Sequence, residues 1–88
     1  MAALNVWTDV ASNGTALYSN ISAGTVNVAV EGATSAEIGH LSSTGAFVAY
    51  DEGAVGGTSS TVVACGEGTA LAVKLVGTGK VRVSSVGD

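Results

Sequence analysis

The stretch GTVNVAVEG, residues 24–32, decides the fold class of this chain. Val26, Val28 and Val30 alternate with Thr, Asn and Ala side chains. Because successive side chains of an extended strand point to opposite faces, the three valines predict one buried face. No ten-residue stretch of the sequence offers a helical apolar stripe free of glycine and β-branched runs. The stretch therefore predicts a β-strand within an all-β protein.

The same alternation recurs along the 88 residues. In residues 69–76 the pattern predicts that Leu71, Val73 and Leu75 point inward and Lys74 outward, and in residues 80–86 that Val81 and Val83 point inward and Arg82 outward. Weaker strands are predicted near 4–10, 15–21, 36–42, 46–51 and 60–65, and a loop near 52–61. About seven or eight short strands predict an antiparallel β-sandwich or a small barrel, formed by a single domain of residues 1–88.

The stretch LVGTGKVRVSS, residues 75–85, predicts a hairpin. Residues paired across an antiparallel hairpin point to the same face, and only a loop of three residues, 77–79, places Leu75 opposite Val81. This register also places Gly79 at the left-handed position of the loop. It puts Lys74 opposite Arg82 on the outer face.

All of the positive charge of the chain lies in this region, in Lys74, Lys80 and Arg82, whereas the net charge is −4. Nucleic acid is excluded as the main ligand, because phosphate binding needs several Lys and Arg residues. The hairpin predicts one outward patch of three cations that docks onto carboxylates of a neighbouring protein. The alternative is that these residues guard an exposed hairpin against aggregation.

Charged residues make up 11% of the chain, against about 25% in ordinary domains. A surface with so few charges favours coverage by partner proteins, although a small domain with a neutral surface is the alternative. Leu4, Val6 and Trp7 are the predicted apolar anchors, since Trp is favoured at buried interface centres. The alternative for Trp7 is packing in the core.

No motif in the sequence predicts catalysis, a metal site or a cofactor. His40 and Cys65 stand 25 positions apart without a nucleophile motif around either residue, and Cys65 is interpreted as a small buried hydrophobe. Asp51 and Glu52 would point to opposite faces of a strand. The single cysteine fits folding in a reducing cytoplasm. No signal peptide is predicted at the start of the chain, and the longest apolar run, residues 46–50, is far too short for a membrane span.

Residues 22–86 resemble small all-β virion proteins of tailed bacteriophages, of the capsid decoration or cement type and related head and tail accessory proteins. The resemblance lies in SAGTVNVAVEG, in AEIGHLSSTGAFVAY and in GEGTALAVKLVGTGKVRVSSV. It implies a non-enzymatic β-sandwich subunit that is made in the host cytoplasm and binds the outside of the capsid shell. The implied partners are the major capsid protein, other virion proteins or copies of the chain itself, with no nucleic acid, membrane, small molecule or cofactor.

Two other functions remain open from the sequence. A carbohydrate- or receptor-binding β module of a phage head fibre or tail predicts an exposed aromatic cluster among Trp7, Tyr18 and Tyr50. A tail or neck connector subunit is the third possibility. The place of the chain in a particle discriminates among the three.

Overall fold

A computed structural model describes residues 4–21, 24–65 and 69–86, with the side chains of residues 4–18, 25–50, 53–64 and 70–84. The described residues form eight strands and no helix, so none of them belongs to a helix that could cross a membrane. The strands are β1 (Thr8–Val10), β2 (Thr15–Ile21), β3 (Gly24–Glu31), β4 (Ser35–Leu41), β5 (Phe47–Gly56), β6 (Ser59–Cys65), β7 (Thr69–Val76) and β8 (Gly79–Val86). The prediction of an all-β fold is confirmed.

The strands form two four-stranded antiparallel sheets that pack face to face as a β-sandwich. Sheet A has the order β1-β8-β3-β6, and sheet B has the order β2-β7-β4-β5. Apart from the β4–β5 connection, every connection between successive strands passes from one sheet to the other. This order, in which strands 1, 8, 3 and 6 face strands 2, 7, 4 and 5, is that of a jelly roll built from two Greek keys.

The core lies between the two sheets and follows the predicted alternation. The predicted inward residues of β3, β7 and β8 are all buried, and they are joined in the core by residues of β1, β2 and β4: Val10, Ala16, Tyr18, Val26, Val28, Val30, Ala36, Ile38, Leu71, Val73, Leu75, Val81 and Val83. Fully burying one aliphatic side chain stabilises a fold by about 1.5–3 kcal/mol. Removal of these valines and leucines from water therefore drives the two sheets together.

Four short turns meet at one end of the sandwich, where β1–β2, β3–β4, β5–β6 and β7–β8 each change sheets. Asn13 and Gly77 bind each other there, because the Asn13 backbone N–H donates to the Gly77 carbonyl at 3.0 Å and the Gly77 N–H donates to Asn13 Oδ1 at 3.0 Å. The Ala33 N–H donates to the Gly57 carbonyl at 3.1 Å, which joins the other two turns. These hydrogen bonds hold the turn ends of both sheets in register.

The predicted β7–β8 hairpin is wrong. β7 pairs with β2 and β4 in sheet B, whereas β8 pairs with β1 and β3 in sheet A, so Lys74 does not lie opposite Arg82. The left-handed residue of the connection is Gly77, at φ 82°, rather than Gly79. The inward faces of β7 and β8 do meet, but they meet across the core instead of along one sheet.

The predicted loop at residues 52–61 is also wrong, because β5 extends to Gly56 and β6 begins at Ser59. The register of β5 against β4 shifts between Glu37 and Gly39, which indicates a bulge in β5. Gly53 fits this bulge because a Cβ at this position would collide with the Ile38 carbonyl oxygen. The glycine at this position therefore allows the bulge of an edge strand to approach the β4 backbone, and it does not indicate a loop. At the other end of the chain, β1 is shorter than the predicted strand over 4–10.

Candidate functional site

The N-terminal segment, residues 4–7, carries the three predicted apolar anchors on the surface. Leu4, Val6 and Trp7 are exposed by 39%, 51% and 41%. The segment runs beside β8, where the Asn5 backbone N–H donates to the Val83 carbonyl at 2.8 Å. The alternative that Trp7 packs in the core is therefore wrong, and the segment presents three apolar side chains to the outside.

Arg82 lies over the ring of Trp7, with its guanidinium carbon 4.9 Å from the ring centroid. Arg82 is half-buried on the outer face of sheet A, where it pairs with Ala29 of β3. A guanidinium at this distance is attracted by the electrons of the indole ring, and contacts of this kind contribute about 0.5–1 kcal/mol at exposed sites. The contact fixes Trp7 against the sheet while part of the indole stays in solvent.

Lys80 lies between two carboxylates on the same outer face. Its register partners are Asp9 on β1 and Glu31 on β3, and all three side chains are exposed. Opposite charges at paired positions of a sheet attract each other by about 0.2–1 kcal/mol. Lys80 therefore has an acid of its own chain at the paired position of each neighbouring strand.

Lys74 lies on the other sheet, so the three cations do not form the single patch that the hairpin predicted. It is exposed on the outer face of sheet B, between its register partners Thr15 and Glu37. Its ammonium nitrogen lies 5.8 Å from the ring centroid of Phe47. Arg82 and Lys80 are consequently the two cations on the face that also carries Trp7.

The aromatic cluster predicted for a carbohydrate-binding module does not form. Tyr18 is only 1% exposed and its hydroxyl donates to the Val81 carbonyl across the core at 3.5 Å. Tyr50 is half-buried and stacks on His40, with ring centroids 5.4 Å apart. Trp7 is therefore the exposed member of the three, and it lies apart from the other two.

The described part of the chain contains no group of three or more His, Cys, Asp or Glu side chains that could hold a metal ion. His40 belongs to β4 and its Nδ1 atom is buried without a hydrogen-bond partner. The side chains of Cys65, Asp51 and Glu52 lie outside the described residues.

Two grooves mark the sides of the sandwich, where the sheets separate. The groove between β1 and β2 has a volume of about 350 Å³ and is lined by residues 8–11 and 14–17. The groove on the opposite side has a volume of about 270 Å³ and is lined by Tyr50 and residues 61–64 of β6. Both grooves run along edge strands of the two sheets.

Sequence reasoning missed several exposed apolar side chains outside the N-terminal segment. Val62 is 53% exposed on β6, Val76 is 48% exposed on β7 and Leu17 is 41% exposed on β2. The signal for Val62 was present in the sequence: Val62 and Val63 are consecutive in a strand, so one of them has to point away from the core. The choice between them needed the register, in which Val62 pairs with Asn27 of the outer face.

Comparisons of the chain with protein-family models, with curated proteins and with solved structures found no match. Inferences on function therefore rest on the residues and geometry described above.

Proposed function

We propose that the chain is a non-enzymatic structural virion protein, a capsid decoration or cement subunit that binds the outside of a shell of major capsid proteins. The observation that carries this proposal is the N-terminal segment, whose Leu4, Val6 and Trp7 are all exposed. Apolar side chains rimmed by polar groups favour burial against another protein. The low charge content of the chain supports a surface that partners cover.

The jelly roll adds an analogy at the level of the fold. This architecture recurs in viral capsid proteins, and also in lectins and cupins. It therefore supports a function in a virion but does not distinguish that function from those of the other two classes. A lectin-like function has less support, because Tyr18 is in the core and the aromatic cluster is absent. The resemblance of residues 22–86 to phage virion proteins points in the same direction as the fold.

The mechanism follows from the position of the segment. Leu4, Val6 and Trp7 enter the joint between neighbouring capsid proteins, and Arg82 beside Trp7 pairs with a carboxylate at the rim of that joint. Burying apolar area across a joint opposes its opening, and many copies on one lattice multiply the effect. The proteins of the shell and the chain gain stability together, with no chemical step.

The proposal is tested first by mass spectrometry of purified particles from the host that carries the gene. We expect the chain in intact particles, in a number of copies comparable with that of the major capsid protein. Finding the chain in fibres or in tail or neck fractions alone would move the function to a fibre module or a connector. Absence from all particles would overturn the proposal.

A binding assay with empty shells of the same particles tests the surface. Arg82→Glu should weaken binding at low salt by at least about tenfold, because the charge beside Trp7 is reversed. Lys74→Glu is the matched control, since Lys74 lies on the opposite sheet, and binding should stay within about twofold. Equal effects of both variants, or of neither, would contradict a docking surface around Trp7.

A further inference from the structure

The four edge strands of the sandwich differ in how they are protected against pairing with another strand. β1 has three residues, and β2 and β5 each carry a register shift typical of a bulge. Short length and bulges are two of the ways in which proteins block edge-to-edge association. β6 has neither protection: its seven residues, Ser59–Cys65, pair with β3 without a shift.

The composition of β6 leaves its edge open as well. The sequence SSTVVAC contains no charged residue and no proline. Lys on the edge and proline are the other common blocks. Within the part of the chain that the structure describes, no strand pairs with the far side of β6, so its outward N–H and C=O groups form a regular row.

We propose that β6 pairs antiparallel with β6 of a second copy of the chain, about a two-fold axis at Val62. Such a pair joins two copies of sheet A into one eight-stranded sheet with the order β1-β8-β3-β6-β6-β3-β8-β1. The proposal does not rest on the proposed function, because it concerns the chain alone.

Self-pairing at Val62 keeps the inner and outer faces of the two β6 strands aligned. Side chains that face each other across an antiparallel pair lie on the same face of the sheet. With Val62 opposite its own copy, Thr61 lies opposite Val63 and Ser60 opposite Ala64, so outer residues meet outer residues and inner residues meet inner ones. The pairs of Val with Val and of Thr with Val are β-branched pairs, which suit a pleated sheet.

Charge is the reason for choosing a second copy as the occupant. The chain has a net charge of −4, so two copies repel each other on average. Along β6, however, no charged side chain faces its own copy. β5 by contrast carries Asp51 and Glu52 in its sequence, and self-pairing of β5 would bring these acids of the two copies close together.

The outer side of β6 carries one side-chain hydrogen bond to β3 and one exposed valine. The Ser60 hydroxyl donates to Asn27 Oδ1 at 2.8 Å, which ties the outer side of β6 to β3. Val62 is 53% exposed, the largest exposed fraction among the large apolar side chains described as exposed. Pairing would bring the two Val62 side chains into contact along their flanks and so remove part of their apolar surface from water.

The experiment is sedimentation equilibrium of the full chain over a wide range of concentrations, followed by the same measurement on two variants. We expect the wild-type mass to rise from that of one 8.5 kDa chain toward that of two. Val62→Lys should raise the dissociation constant at least about tenfold, because two lysines would face each other at the axis. Val76→Lys is the matched control on a central strand of sheet B, and it should leave the dissociation constant within about twofold.

A second measurement locates the contact independently of the lysine variants. In a Cys65→Ser background, Val62→Cys should form a disulfide-linked dimer under mild oxidation, because paired Cα atoms of antiparallel strands are about 4.5–5.5 Å apart, within the range of a disulfide. Val76→Cys in the same background should form much less. A wild-type chain that stays monomeric, a Val62→Lys variant that dimerises as the wild type does, or equal cross-linking at both positions would overturn the proposal.

Discussion

Tyr18 has the largest fully buried side chain among the described residues, and its phenol is the polar group of an otherwise apolar core. Burial raises the pKa of Tyr18 above its ordinary value, because the phenolate loses its hydration in the core, while a hydrogen bond with the Thr8 side chain acts in the opposite direction. The neutral phenol is therefore the form that the fold accepts.

This shift in pKa predicts how stability depends on pH. Because the folded chain holds the Tyr18 proton more tightly than the unfolded chain does, its contribution to the free energy of unfolding is complete below the ordinary tyrosine pKa of about 10 and declines as the pH rises above it. We expect urea denaturation to show this loss as the pH rises above about 10. Tyr18→Phe should flatten the dependence, and an unchanged slope would contradict a buried phenol.

Trp7 is the single tryptophan, so tryptophan fluorescence reports on the surroundings of this one ring, which include the Arg82 guanidinium. Arg82→Ala should shift or intensify the emission and lower the free energy of unfolding by about 0.5–1 kcal/mol, because the ring loses a cation and the packing of the arginine stem. Lys74→Ala removes a cation from the other sheet and should leave the emission unchanged. A change in both variants would indicate a general loosening rather than this contact.

At the level of elements, the connection between β7 and β8 shows how a short glycine-rich turn can fit a hairpin pattern and yet join two different sheets. A three-residue hairpin loop at Gly77, Thr78 and Gly79 would keep the apolar residues of both strands on one face. The Gly77 N–H, however, donates to Asn13 Oδ1 of another turn rather than to β8. The Thr34 N–H donates to the Val76 carbonyl at 2.9 Å. The turn is therefore held by its neighbours at the turn end of the sandwich, while its two strands leave into different sheets.

Gly77→Ala tests the left-handed position of this turn. An L-residue at φ 82° costs about 1–2 kcal/mol, and the new Cβ would also lie 3.2 Å from the Thr34 hydroxyl oxygen. We expect chemical denaturation to show a loss of at least about 1 kcal/mol.

Gly56→Ala is the control for this substitution, because a Cβ at Gly56 meets nothing within 4 Å and its φ lies outside the left-handed region. Its stability should stay the same or rise by up to about 1 kcal/mol, since alanine restricts the unfolded chain. Equal losses in the two variants would show that the backbone at Gly77 is not the cause.

For the whole molecule, stability depends on one layer of apolar side chains between two sheets. A domain of 88 residues has a small core, and an ordinary domain is stable by only about 5–15 kcal/mol. A substitution that leaves one large cavity in the core therefore removes a substantial part of the free energy of unfolding. The same substitution on an outer face removes little of it.

Two leucines on neighbouring strands of sheet B allow this comparison. Leu71 is 0% exposed and Leu17 is 41% exposed. Leu71→Ala should lower the free energy of unfolding by about 2–5 kcal/mol, because it loses the buried methyl groups and leaves a cavity. Leu17→Ala should cost less than about 0.5 kcal/mol by the same urea titration. Similar losses at both positions would contradict the assignment of inner and outer faces.

The grouping of side chains on the surface could be read only from the tertiary structure. The sequence indicated that Leu4, Val6 and Trp7 are interface candidates, and the structure places them in solvent beside β8. The sequence also predicted that the three cations lie together. That prediction is wrong because it depended on a β7–β8 hairpin, which does not form. Charge and apolar surface group according to which strands are neighbours, and neighbours in this sandwich are distant in sequence: β8 lies beside β1 and β3.

For β3, β7 and β8, the sequence by itself determined which residues are extended and which side of the strand is apolar, because alternation at a period of two is a local property of the chain. Val28, Leu71 and Val83 were assigned to the core on this ground and are buried. Only the tertiary structure decided which sheet each strand joins. The inward face of a strand in sheet A is as apolar as that in sheet B, so alternation cannot distinguish pairing along a sheet from packing across the core. That choice is seen in the long-range registers, in which β7 pairs with β2 and β4 whereas β8 pairs with β1 and β3, and hydrogen bonds between distant turns, such as those of Asn13 with Gly77, stabilise the result.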